Sequence, residues 1–180
     1  MKVKLFSHNI YSRKFSGQTP IKNTNSNLSN DITNFCESFQ LPNEKINHAQ
    51  FDENLVKKIV ENKQNSLNLV VDLIKNTDEE KKSTAGLFLL NRLIDSGVKN
   101  VGDYYHVISK HNYSDSPNIQ TMLAGVYRKT LVPDAFGPMM TMFWKNSQNP
   151  KTKPFDANEE IGGAILEYLR NEIALSVYKK

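Results

Sequence analysis

Residues 77–97 read TDEEKKSTAGLFLLNRLIDSG, and their spacing decides the fold class. Thr77 with Glu80 three positions later has the form of a capping box, in which a hydroxyl and a carboxylate satisfy the first free amides of a helix. Leu87, Leu90 and Ile94 then recur at helical period, and Gly97 stands where a helix places a terminal glycine. Working outward, the same period holds on both sides. Phe51, Leu55, Val56, Ile59 and Val60 share one face, and Leu67, Val70, Val71 and Ile74 continue after a break near residues 62–65. Downstream, Val101, Tyr104, Ile108 and His111 mark another helix, and Ser116-Pro117 opens one through Ile119, Met122, Leu123, Val126 and Tyr127. Pro133-Asp134 begins a helix through Phe136, Met139, Met140 and Phe143. Asp156 with Glu159 caps a last one through Ile161, Ile165, Tyr168 and Ile173. No run of five or more alternating residues competes, so the reading is all-α with about seven helices.

The chain of 180 residues suits one domain, and 38% hydrophobic residues with a mean hydropathy of −0.54 exclude a membrane bundle or a disulfide scaffold. Ser16 to Asn34 is mostly Ser, Thr, Asn and other small or polar residues, relieved by Ile21, Leu28 and Ile32. Such a stretch buries little apolar surface against its ordering entropy, so it reads as a flexible linker. The expected organisation is an N-terminal arm over 1–50, mostly disordered, and a helical domain over 51–180. Within the arm, Lys2-Val3-Lys4-Leu5-Phe6 suggests one short strand or a docking peptide, and Phe35, Phe39 and Leu41 allow one short helical turn on the body. The longest apolar run near the start, Leu5-Phe6, is too short for a signal peptide, and the single Cys36 forms no internal bridge. Both features suit a cytoplasmic protein.

Two internal matches bear on the arrangement of the helices. Ala85-Gly86-Leu87-Phe88 recurs as Ala124-Gly125-Val126-Tyr127, 39 residues on, and as Gly162-Gly163-Ala164-Ile165, 38 further; Tyr104-Tyr105 maps onto Phe143-Trp144 at the same offset of 39. Glycine within a helix costs about 1 kcal/mol against alanine, so small residues at one phase point to close helix approach. Over about residues 78–177 the pattern resembles a HEAT/armadillo-type α-solenoid, whose helix-pair repeats run about 40–47 residues. The family's usual proline, aspartate and arginine pattern is met at Pro133-Asp134, with Arg128 nearby, and not in the other repeats. The resemblance implies a short HEAT-like stack; an irregular orthogonal helical bundle is the alternative.

Residue patterns for catalysis are absent. There is no nucleophile elbow and no glycine-rich phosphate loop, and His106 and His111 stand five apart where metal ligands on one helical face want three or four. Glu79-Glu80 and Glu159-Glu160 fall in first turns, where acids complement the helix dipole. The expectation is therefore no catalytic residue, no cofactor and no metal, while an active site assembled from scattered residues stays open. The net charge of +4 with pI near 9.0 makes nucleic acid a second candidate. Residues 51–130 nevertheless carry 11 basic against 10 acidic groups and few arginines. The leading reading is a non-catalytic protein–protein interaction module with a protein partner, with no membrane. Met139, Met140, Met142, Phe143 and Trp144 form the densest apolar run, and stacking places Tyr105 and Trp144 on a helix flank with His106 and Lys145 beside them. These four are the candidate partner-binding residues. Phe143 and Tyr104 are the corresponding core positions.

Overall fold

The computed structural model describes residues 22–43, 48–148 and 157–172, and every regular element among them is helical. The order is α1 (Lys22–Ser38), α2 (Glu53–Glu61), α3 (Lys63–Asn76), α4 (Glu80–Asp95), α5 (Tyr105–Ile108), α6 (Pro117–Thr130), α7 (Phe136–Gln148) and α8 (Asn158–Arg170). Short 3₁₀ turns occupy Val101–Tyr104, Ser109–His111 and Pro133–Ala135. An isolated antiparallel bridge joins Gln40 and Gln50.

The caps explain where the helices begin and end. Gly97 takes φ +87°, its amide donates to Ile94 O at 2.9 Å, and the Val98 amide donates to Leu93 O at 3.0 Å. This is the Schellman closure of α4, and the two apolar residues it joins, Leu93 and Val98, are both buried. Ser116 Oγ accepts from the Ile119 amide at 3.3 Å with Pro117 at the first helical position of α6. At the N-terminus of α4 the expected capping box does not form. The helix starts at Glu80, and the Glu80 carboxylate instead accepts from Ser116 Oγ and, at 3.1 Å, from Asn118 Nδ2, tying α4 to α6. The residues of the last expected cap, at 156, and of the last helix beyond 172 lie outside the described residues.

The helical body begins at Lys22 and not near Phe51, which corrects the arm and linker boundaries. Leu28, Ile32, Phe35, Cys36 and Phe39 are all buried, and α1 lies against α2, α3 and α4. The polar composition of this stretch conceals its phase. Its few apolar residues fall at i, i+4, i+7, i+8 and i+11, so all of them share one face. That face meets an aromatic cluster in which Phe35 has its ring centroid 5.5 Å from Phe39, 6.4 Å from Phe51 and 5.9 Å from Phe88. Residues 1–21, which include Lys2–Phe6, lie outside the described residues.

Beyond α1 the helices follow one another in a row: α4 packs between α3 and α6, α6 between α4 and α8, α7 against α8, and α5 against α3. The glycines of the internal matches mark the close approaches. A Cβ on Gly86 would stand 2.7 Å from Ile74 Cγ1 of α3, and one on Gly125 would stand 2.9 Å from Asn91 Oδ1 of α4. A Cβ on Gly163 would lie 3.5 Å from Arg128 Nη1 of α6, and one on Gly162 would lie 3.4 Å from Phe143 of α7. The matched positions are thus all contact positions, but Gly86 faces the preceding helix while Gly125 and Gly163 face the helix before that. The helix expected from Val101 to His111 is broken into three short pieces after Asn100, which takes φ +65°.

Candidate functional site

The four residues singled out in the sequence sit in different surroundings. Trp144, on α7, is 68% exposed, and Met140 one turn earlier is 41% exposed. Lys145 pairs with Asp115, and His106 is exposed on α5. Tyr105 does not stand out as a second exposed ring. Its hydroxyl donates to Asp134 O at 2.8 Å and accepts from Asn112 Nδ2 at 3.3 Å, and its ring lies 5.8 Å from that of buried Tyr127. Tyr127 in turn donates to Asn112 Oδ1. Burial pushes both phenols above their ordinary range, so each acts as a neutral donor in a structural network.

The expected core row on α7 is also shifted. Phe136, Met139 and Met142 are buried, whereas Phe143 is half-buried and Met140 faces solvent. The row 136, 139, 140, 143 and the row 136, 139, 142, 143 differ by about 200° at a single position. On the α8 side, Gly162 lies beside the Phe143 ring, where an added Cβ would stand 3.4 Å away.

A concavity lies elsewhere. A cleft of about 680 Å³ opens where the N-terminal halves of α4, α6 and α8 meet the segment that precedes α2. Its apolar wall is Pro42, Phe51, Phe88 and Met122. Asn118 and Thr121 enter it from α6, one turn apart, and Glu159 and Glu160 from the first turn of α8. Asn118 is 8% exposed. Its Nδ2 is held by Glu80, and its Oδ1 has no partner; Thr121 Oγ1 is likewise buried without one. Leaving a buried polar atom unpaired costs about 1–3 kcal/mol, so two on one wall of one cleft are a feature to be explained. Glu160 forms an ion pair with Arg128 at 3.1 Å. This site went unread in the sequence because Asn118 and Thr121 resemble ordinary first-turn residues. The available signal was their place on the same face as Met122, inside an otherwise apolar stripe.

Glu79 pairs with Lys82 at 2.7 Å. His111 is buried with Nε2 unpartnered, and burial together with Lys110 lowers its pKa against the opposing pull of Asp78. Burial pushes the Cys36 thiol up to about 11, far from a reactive thiolate. No group of three metal-ligating side chains occurs among the described residues, and no helix among them is long and apolar enough to cross a membrane. Comparison with known proteins returns no matching family model, no matching curated protein and no matching solved structure.

Proposed function

We propose that this chain is a non-catalytic protein-binding module, a short helical stack of the HEAT/armadillo kind that engages a partner protein through the outer face of α7. The observation that carries this reading is the pair Met140 and Trp144, two large apolar side chains exposed one turn apart on a single helix face. Tryptophan is among the residues richest in binding energy at protein interfaces, and methionine adapts to irregular partner surfaces. The ordered neighbours α4, α6 and α8 support the stack, since a row of helices presents an extended surface. A reducing, cytoplasmic setting suits the single buried thiol.

The nucleic-acid alternative is weakened by charge pairing. Each arginine among the described residues has an acidic partner: Arg92 with Glu53, Arg128 with Glu160 and Arg170 with Glu167. Lys58, Lys110, Lys129 and Lys145 are paired as well. Cations held in pairs over several helices make a poor phosphate track.

The test is affinity capture from the native cell with and without nuclease, using the full chain and its Trp144→Ala variant. A partner retained after nuclease by the native chain and lost by the variant supports the reading. Recovery of nuclease-sensitive material alone, or capture unchanged in the variant, overturns it. The emission of the sole tryptophan should be red-shifted and readily quenched by acrylamide in the free protein, and protected in the complex.

A further inference from the structure

The cleft between α4, α6 and α8 has unfilled bonding capacity that is mainly accepting, with the Thr121 hydroxyl able to donate as well. Asn118 Oδ1 can only accept a hydrogen bond, Thr121 Oγ1 can accept one, and the carboxylates of Glu159 and Glu160 accept only. The amide donor of the same side chain, Asn118 Nδ2, is committed to Glu80. The carboxylates lining the cleft are Glu159 and Glu160, with His48 also in its wall; Glu160 shares its charge with Arg128, while Glu159 is exposed. An occupant that brings donors therefore suits the cleft, and a positive charge suits it better than a negative one. The opposite wall, Phe51, Phe88 and Met122 with Pro42, asks for apolar surface. Aromatic faces also tolerate a cation nearby, as Arg92 already shows from outside, its guanidinium 5.2 Å from the Phe88 ring centroid.

Helix ends bear on the sign of the charge. The first turns of α6 and α8 border the cleft, and helix N-termini favour anions by about 0.3–1 kcal/mol. Both ends are already compensated. Ser116 caps α6 with the Glu80 carboxylate against it, and α8 carries Glu159 and Glu160 in its own first turn. What remains unmatched after that compensation is the set of acceptors.

We propose that this cleft binds a peptide segment of a partner protein in which a lysine or arginine is flanked by apolar residues. The cation's N–H groups would bond Glu159 and, once their side chains turn toward the occupant, Asn118 Oδ1 and Thr121 Oγ1, which are closed to solvent in the free chain, and the flanking residues would lie on Phe51, Phe88 and Met122. A volume of about 680 Å³ is more than one amine side chain fills and falls within the range of about 300–1,000 Å³ usual for ligand sites, which favours a peptide over a simple amine. The site is distinct from Met140 and Trp144, so it can stand or fall without the α7 reading.

The experiment titrates the full chain into a fluorescein-labelled Leu-Lys-Phe-Leu-Lys peptide, followed by anisotropy. Two counterparts carry norleucine or glutamate in place of both lysines, and the Met122 methyl resonance is recorded in parallel. The lysine peptide should bind and shift the Met122 methyl, with the norleucine peptide weaker by about tenfold. Glu159→Gln and Thr121→Val should each weaken it several-fold. Thr121→Val should also leave the free protein as stable as before or more so, because it removes a buried hydroxyl that lacks a partner. Equal or better binding of the norleucine or glutamate peptide, an unmoved Met122 resonance, or no binding of the lysine peptide would each overturn the proposal.

Discussion

Replacing Phe35 by alanine tests whether α1 belongs to the core. Phe35 is fully buried, and its ring contacts Phe39, Phe51 and Phe88 at centroid distances of 5.5, 6.4 and 5.9 Å, so it joins α1 to α4 and to the segment before α2. Removing a buried phenylalanine side chain costs about 3–5 kcal/mol in lost transfer energy and cavity formation. The three ring contacts place this case toward the upper end, since an aromatic pair contributes about 0.5–1.5 kcal/mol beyond its buried area. For a domain of this size each kcal/mol lowers Tm by about 2–4 °C, so the variant should melt about 6–20 °C lower. Were residues 22–38 a solvated linker, the same change would lie within about 0.5 kcal/mol, as exposed substitutions do. Trp144→Ala, at a residue 68% exposed, serves as the control and should cost less than about 1 kcal/mol. Thermal and urea melts followed by circular dichroism distinguish the two cases. A Phe35→Ala melt within about 2 °C of the native one, below the shift of a single kcal/mol, would refute the placement of α1.

Other substitutions probe single contacts. Gly86→Ala gains up to about 1 kcal/mol of helix propensity but drives a Cβ to 2.7 Å from fully buried Ile74, an overpacking that costs about 1–3 kcal/mol. It should destabilise, whereas Gly137→Ala, with nothing within 4 Å, should be neutral or stabilising; a melt in which the two variants behave alike removes the close-approach argument. Cys36, with its thiol pushed up to about 11, should resist alkylation at pH 8 in the folded chain and react at once in urea, and rapid labelling of the folded state would contradict its burial. His111 has its pKa lowered from about 6.5, so the unfolded chain takes up the proton first as pH falls. The stability it contributes is complete above about 6.5 and is lost below that value. Denaturation midpoints at pH 7.5 and 5 should therefore fall more steeply in the native chain than in His111→Gln, and equal slopes would count against it.

The all-α class was legible because helical periodicity recurs along the chain, and Gly97 and Ser116-Pro117 end and begin helices where their chemistry requires. Composition misled where phase should have led. Averaged over Ser16 to Asn34 the sequence reads as linker, yet Leu28 and Ile32 are in register with Phe35, Cys36 and Phe39 and bury a whole face. The choice between Met140 and Met142 as a core residue could not come from α7 alone, because both fit a helical stripe and tertiary packing buries Met142. Tyr105 was read as a flank residue from its neighbour's phase, but Asn112 and Asp134, 7 and 29 residues away, draw its hydroxyl inward. The cleft draws on three helices and a connecting segment at once, so the shared face of Asn118, Thr121 and Met122 on α6 was its one local trace.

The row of helices also sets how the molecule should come apart. Each of α4, α6 and α8 leans chiefly on the neighbours just before and after it, so the structure behaves almost as a one-dimensional array, in which a terminal unit can open while the rest stays closed. The two ends are unequal. At the front, α1 is stitched back across α2, α3 and α4, while at the rear α8 rests on α6 and α7, with Leu166 and Leu169 facing outward. Opening should therefore start at α7 and α8 and travel inward, and backbone amides near Leu90 should exchange with solvent slowest, those near Ile165 sooner. Partners that grip α7 would act as a clasp on the end most prone to fray.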